Sequence, residues 1–417
     1  MRLHWLELRN VGPFEEATID FVGDDPQPRP VQFLTGLNGS GKSIVLDAVR
    51  FWFGGQYGRV ERELPRSDHE AGFSVEATVG TPRREHAHVV RSPRHQEETG
   101  SYTQPEGVDE VWAKPLAVEH FGDRPEWVVD YWCANAATGS PVIQGFQAPA
   151  HRKVLRDALS GAYARGQVTE LLCTFDYLRD SRDPQERATG EALYGIAERI
   201  IQASLLEGRY VGVKRATFTP QVEQAGHVVA LANVSSGNAY FIQRMITLLG
   251  RMYAVNALSG QPPEALCQTP GLLLLDEVEN HLHPRWQKRM IPAILEVFPN
   301  LQIVATTHSP FVLASVPDAR VHVCRYDAAQ RVCTVTEETA MYAHRPVDEI
   351  LLSGAFDETQ PFGVEITELL AARKKAIRAG DEVAKEDIEQ RLLALNPTYF
   401  SYLEVHKRLA ALPGARA

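Results

Sequence analysis

Long apolar runs are missing from this sequence. None of its 417 residues sits in a stretch approaching the ~18 needed to cross a bilayer, and the mean hydropathy is −0.24, so no membrane span is expected. The opening Met1-Arg2-Leu3-His4-Trp5 has none of the apolar core of a secretory leader. Cysteine is sparse: five residues (Cys133, Cys173, Cys267, Cys324 and Cys333), none in a Cys-x-x-Cys pair. Reduced thiols in a cytoplasmic protein are therefore expected, without a zinc site or disulfide framework. Basic residues are not in excess. Lys and Arg number 43 against 53 Asp and Glu, a net charge of −10. A general basic coat for nucleic acid is thus disfavoured, with room left for a local basic groove. Internal repeats and low-complexity tracts are absent, and no segment sustains the roughly three or four heptads of a coiled coil.

The remainder is ordinary globular composition, 44% hydrophobic and 23% charged, in a chain long enough for about two or three domains. Val31-Gln-Phe-Leu-Thr35 reads as a buried strand. Gly36-Leu-Asn38-Gly39-Ser40-Gly41-Lys42-Ser43 follows directly, then the helical pattern Ile44–Val49. Strand, glycine loop and helix in that order predict a P-loop. Glycines let backbone N–H groups of Gly36, Asn38, Gly39, Ser40 and Gly41 curl around phosphate oxygens, and the helix N-terminus adds its positive dipole end. Lys42 is expected to reach the β- and γ-phosphates of ATP, and the Ser43 hydroxyl to ligate Mg²⁺.

Gly271-Leu-Leu-Leu-Leu275-Asp276-Glu277 reads as a strand buried on both faces and ending in two carboxylates. Ligands of open α/β sheets bind at the carboxyl ends of strands. Asp276 is the expected second Mg²⁺ partner, and Glu277 the general base that orients the attacking water. Leu301–Thr307 is a further apolar strand running into His308-Ser309-Pro310. That places His308 on the same edge, where a histidine can donate to the γ-phosphate and report its presence. Finally, Asn233-Val-Ser235-Ser236-Gly237-Asn238 opens a long helical pattern. It has the makings of a weak anion site that a second subunit's P-loop would complete; in isolation an ordinary serine N-cap is the commoner meaning.

The order P-loop, Ser-Ser-Gly, Leu-rich Asp-Glu strand, Thr-His-Ser-Pro resembles an ABC-type ATPase. Within that class the chain resembles the SMC/RecF/OLD branch. Its opening Leu8-Arg-Asn10-Val-Gly-Pro-Phe14 is similar to that branch's first turn, and Asp276-Glu-Val-Glu-Asn280-His-Leu-His-Pro284-Arg-Trp286-Gln287 is similar to OLD-like and Septu-type defence ATPases. The resemblance implies an α/β, ABC-type P-loop ATPase head, a mixed sheet with flanking helices. It also implies a head-to-tail dimer or higher oligomer with ATP at the interface, where Ser235, Ser236 and Gly237 of one subunit meet the γ-phosphate held by the other. A glutamine loop is implied as well, with Gln144 preferred and Gln147 the alternative. Two positions depart from the transporter pattern, Ser236 in the signature and His283 in the following loop. A metal cluster of Glu279, His281 and His283 is disfavoured.

The expected organisation is an ATPase lobe over 1–145, a helical insert with β structure over 146–224, the signature, Asp-Glu strand and switch histidine over 225–345, and a C-terminal helical extension over 346–417. Helices are expected over Ala150–Gly161, Val168–Asp180 and Gly190–Glu207, and a hairpin over Ala216–Leu231. In the tail, Ile366, Leu369, Leu370 and Ile377 share one helix face, and Ile388, Leu392 and Leu395 another. A final helix is expected to carry Tyr399, Leu403, Leu409 and Leu412. Ser92–Gly107 reads as a surface loop. No acidic nuclease-like cluster is visible in the tail. The implied role is therefore an ATPase switch acting on a separately encoded effector, a nuclease or toxin, in anti-phage defence. A DNA-binding repair ATPase is the alternative and a transporter subunit the least favoured.

Overall fold

The computed structural model describes residues 1–25, 27–54, 73–81, 84–91, 125–134, 143, 145–161, 166–205, 208–280, 282–356 and 362–403. Gln144, His281, Leu409, Leu412 and the Ser92–Gly107 loop lie outside the described residues. The chain divides into two compact units, Met1–Ile350 and Leu351–Ala417. Among the described residues no helix is long and apolar enough to cross a membrane, and Cys133, Cys173, Cys267, Cys324 and Cys333 are free thiols.

The first unit is α/β. Thirteen strands are described: β1 (Arg2–Val11), β2 (Phe14–Asp20), β3 (Val31–Thr35), β4 (Ser74–Thr81), β5 (Arg84–Arg91), β6 (Val128–Trp132), β7 (Gly208–Lys214), β8 (Thr219–Gln224), β9 (His227–Ala230), β10 (Gly271–Leu275), β11 (Leu301–Thr306), β12 (Arg320–Asp327) and β13 (Val332–Glu337). They form three sheets ordered β2-β1-β4-β5, β13-β12-β3-β11-β10-β6 and β7-β8-β9.

In the six-stranded sheet β12, β3, β11, β10 and β6 run parallel, and β13 closes the edge antiparallel. Every residue of β3, β6, β10 and β11 is buried, as continuous apolar strands covered on both faces must be. The antiparallel strand β2 instead alternates, burying Phe14, Ala17 and Ile19 while exposing Glu15, Glu16, Thr18 and Asp20.

Helix α1 (Lys42–Gly54) lies in the core between these two sheets. Val45, Leu46, Val49 and Trp52 cluster with Leu6, Leu8 and Phe14 of the four-stranded sheet and with Leu272, Leu274 and Val304 of the six-stranded one. Each such side chain contributes roughly 1.5–3 kcal/mol by burial, so the helix that starts at Lys42 is held on both sides.

Helices α2 (Gln167–Arg179), α3 (Pro184–Ser204) and α4 (Ser236–Ser259) pack together with the small three-stranded sheet. α3 begins six residues before the expected Gly190 because Pro184 occupies its first position and the Asp183 carboxylate accepts from the N–H groups of Gln185 (2.8 Å) and Glu186 (3.0 Å). The first expected helix, over Ala150–Gly161, is shorter, ending at Arg156 with a 3₁₀ turn to Leu159. The expected hairpin is two strands of a three-stranded sheet, because Gly208–Lys214 pairs along β8; the strand is hard to read with Gly208 and Gly212 inside it.

The second unit holds α5 (Val364–Ala379) and α6 (Glu382–Leu395), joined through Gly380 at φ +68°. Leu369, Leu392, Phe400 and Leu403 form its core, and the Arg373 guanidinium meets the buried Glu389 carboxylate at 2.7 Å. Ile377 and Leu395, expected on the buried faces, are 47% and 45% exposed. Both stand at the C-terminal ends of their helices, beyond this short core.

Candidate functional site

Adjacent strands β3, β11 and β10 deliver three polar segments to one sheet edge. The loop after β3 is the glycine-rich Gly36–Ser43. Gly36, Gly39 and Gly41 have φ of +135°, +81° and +89°, which side chains rarely adopt. A Cβ on Gly36 would stand 2.1 Å from the Cys324 carbonyl oxygen, and one on Gly41 2.6 Å from the Phe14 ring. Asn38 and Gly39 face solvent, while Ser40 is buried. The Lys42 ammonium donates to the carbonyls of Gly36 and Leu37, both at 2.9 Å. Burial draws its pKa below the ordinary lysine value, opposed by the negative groups around it, Glu279, Glu277 and Asp276 among them.

Ser43 and the Asp-Glu turn meet directly. The Ser43 hydroxyl donates to Asp276 Oδ1 at 2.8 Å. Thr306, the last residue of β11, donates its hydroxyl to the same oxygen at 2.8 Å and accepts from the Glu277 N–H at 2.7 Å. Glu277 has φ +49°, a left-handed backbone at a non-glycine residue. The Asn280 amide donates to Glu277 Oε2 at 2.6 Å, which sets the carboxylate's direction.

The third segment is Thr307-His308-Ser309. The Thr307 N–H donates to the Leu34 carbonyl at 3.0 Å. Burial and the nearby Lys42 charge hold His308 below the ordinary histidine range. At neutral pH its ring is uncharged and carries one N–H donor. Glu279 braces this segment: its carboxylate accepts from the His308 N–H at 2.6 Å and from the Thr307 hydroxyl at 2.7 Å. Burial raises the Glu279 pKa.

Ser235, Ser236 and Gly237 stand at the start of α4. Ser235 and Ser236 are exposed, and the Ser235 hydroxyl does not cap the helix behind it. Two buried arginines tie that helix to β6, whose end lies beside the Asp-Glu turn. Arg244 donates to the Cys133 carbonyl at 2.9 Å, Arg251 pairs with Asp130, and the Asp276 N–H donates to the Trp132 carbonyl at 2.9 Å. Lys42, Ser43, Asp276, Glu277 and His308 thus share one edge, whereas the Ser235–Gly237 segment is presented outward. Thr306, Glu279 and Asn280 were given no role from sequence, since their partners sit on other strands or across a turn. Their signal was the polar residue ending an apolar strand and the carboxylate three residues beyond Asp276.

The donor set suits the groups a P-loop implies. A hydroxyl and a carboxylate oxygen 2.8 Å apart are hard oxygen ligands fit for Mg²⁺, and Gly36 and Gly41 pack too closely on Cys324 and Phe14 for any side chain, which keeps the loop backbone in its phosphate-cradling course. Fold and site together have the form of a P-loop nucleotide-binding head, with a glycine loop and an Asp-Glu strand end meeting on one edge of a mixed sheet.

Comparison with known proteins runs the same way. Residues 6–104 match a family described as "AAA domain", and residues 155–314 one described as "AAA domain, putative AbiEii toxin, Type IV TA system". The chain is similar to the Retron Vc95 probable ATPase of Vibrio cholerae serotype O1 biovar El Tor, 23% identical over 39% of this chain and 31% of that protein. It is also similar to the Septu protein PtuA of Bacillus mycoides (strain KBAB4), 33% identical over 21% of this chain and 12% of that protein. The matched segments are therefore less than a third of either relative's length. Among solved structures, the SMC head domain from Thermotoga maritima aligns with a TM-score of 0.41 at 15% identity, covering 81% of this chain and 99% of that one; the fold assignment rests on the sheet order and motifs above.

Proposed function

We propose that this chain binds ATP with Mg²⁺ in the Gly36–Ser43 cradle and hydrolyses it between two copies arranged head to tail. The ATP-bound pairing would control a separately encoded effector, a nuclease or toxin, in cytoplasmic anti-phage defence. The observation that carries this reading is the hydrogen-bonded chain of Ser43, Asp276, Thr306 and Glu277, set beside Lys42 and the neutral His308.

Lys42 exchanges its two loop carbonyls for β- and γ-phosphate oxygens. Ser43 and Asp276 would hold Mg²⁺, which when bound would supply charge to neutralise the phosphate oxygens. Glu277 takes the proton of the attacking water, and His308 donates to the γ-phosphate. Ser235–Gly237 completes the other copy's site. The outward placement of Ser235 and Ser236, with the Ser235 hydroxyl unused as a cap, supports this, and the likeness to Septu and retron ATPases supports the effector-linked role.

The test is complementation by mixing. Lys42→Ala and Ser235→Arg variants are each expected to release no phosphate. Mixed, they form heterodimers with one intact composite site and recover up to about a quarter of wild-type turnover. No recovery, with both variants folded and the mixture forming heterodimers on adding ATP, overturns the composite site.

A further inference from the structure

We infer that Glu279 is a positioning residue: by engaging consecutive residues with both carboxylate oxygens, it fixes where the His308 imidazole stands over the ATP site. The inference rests on the ATP-hydrolysis reading above and deepens it.

β11 ends at Thr306, and past the Thr307 N–H bond to the Leu34 carbonyl of β3 the Thr307–Ser309 segment needs other anchors. Glu279 supplies two of them, Oε1 to the His308 N–H at 2.6 Å and Oε2 to the Thr307 hydroxyl at 2.7 Å. The network then continues. The Ser309 N–H donates to Thr307 Oγ1 at 2.9 Å, the Ser309 hydroxyl to Gln287 Oε1 at 2.6 Å, and the Gln287 amide to the Leu282 carbonyl at 2.9 Å. The segment after β11 is thus clamped to the segment after β10 at both ends.

Charge-assisted bonds of this length are roughly twice as strong as neutral ones. Both Glu279 oxygens are engaged by the switch segment, whereas Glu277 is held from one side through Asn280. Glu277 therefore remains the candidate base. Glu279 links it to the switch: any shift of the 276–280 turn at the metal site is carried by Glu279 to the His308 backbone. Glu279 also lies within electrostatic reach of Lys42, so a purely charge-based role is the rival explanation and the test must separate the two.

Steady-state phosphate release is measured for wild type, Glu279→Ala, Glu279→Gln, Thr307→Val, His308→Ala and the Glu279→Ala/His308→Ala double variant. Glu279→Ala is expected to lower kcat between about ten- and a hundredfold with KM held within about twofold, as misplacement of a reacting group does. Glu279→Gln is expected to keep kcat within about threefold, since its amide oxygen still accepts from His308 and its amide nitrogen donates to Thr307. Thr307→Val, which spares the carboxylate, lowers kcat less than Glu279→Ala and leaves KM alone; it carries the test if Glu279→Ala does not fold. The double variant should be no slower than His308→Ala, because Glu279 acts through His308.

Glutamine as slow as alanine, or additive losses in the double variant, overturns the positioning role while leaving the ATPase reading intact. A wild-type protein that binds but does not hydrolyse ATP overturns both.

Discussion

Thr306→Val removes one hydroxyl from the junction of the three site segments. Thr306 is fully buried, and valine has nearly its shape, so no cavity opens and the change isolates two hydrogen bonds. One is donated to the Asp276 carboxylate at 2.8 Å and the other accepted from the Glu277 N–H at 2.7 Å. A bond to a charged group is worth about 1.5–3 kcal/mol, and a buried donor left unsatisfied costs about 1–3 kcal/mol. Because Ser43 still donates to Asp276, the combined loss in folding stability should be about 2–4 kcal/mol. The functional effect comes through Glu277. A left-handed backbone at such a residue costs about 1–3 kcal/mol and persists only where its surroundings hold it. Freed from Thr306, the turn relaxes and the carboxylate drifts, lowering kcat about ten- to a hundredfold. ATP affinity should stay within about threefold, since Lys42 and the glycine loop are untouched. Urea unfolding and phosphate release on the same preparation read both quantities. A stability loss below about 0.5 kcal/mol together with unchanged kcat would refute the role given to Thr306.

Two further outcomes follow from the same structure. Gly41→Ala forces a side chain onto φ +89° and places its Cβ 2.6 Å from the Phe14 ring, so nucleotide binding measured by calorimetry should be lost and the melting temperature lowered. His322 is buried against Gln32 and Phe21, and burial lowers its pKa from 6.5 to about 4. The unfolded chain therefore takes up this proton first as pH falls. The stability His322 contributes is present above pH 6.5 and lost toward pH 4, up to roughly 3 kcal/mol. His322→Gln, which keeps an amide donor for Gln32, should show a smaller drop in denaturant stability between pH 7 and 4.5 than wild type. An equal drop would mean that other groups carry the acid sensitivity.

The parts legible in the sequence were those encoded locally. Val31–Thr35 coincides with β3, and the four leucines before Asp276 fall in β10. In each case an apolar run hands over abruptly to glycine or carboxylate. The helix from Lys42 was equally plain. What stayed hidden depends on neighbours far apart in sequence. Thr306 matters because β11 lies beside β10, and nothing local distinguishes it from any strand-end threonine. Glu279 read only as part of a disfavoured metal cluster, and its two partners, Thr307 and His308, lie across the sheet edge. Arg244 and Arg251, on a helix read from its apolar residues, are both buried against β6 and the Cys133 that follows it. Taken alone, Ser235 read as a helix cap, a bond that its hydroxyl does not make; its expected role in a second copy's site came from the resemblance. The tail helices were visible by periodicity, but periodicity alone could not say that the core stops short of Ile377 and Leu395.

The most direct test of the central claim is the solution mass of Glu277→Gln by light scattering, with and without ATP and Mg²⁺. Losing only the base should leave ATP bound but unhydrolysed, so the mass is expected to double, or to rise by whole multiples, on adding nucleotide. A further Ser235→Arg change should abolish that increase without abolishing ATP binding. A protein that binds ATP yet stays a monomer would contradict a site shared between two copies.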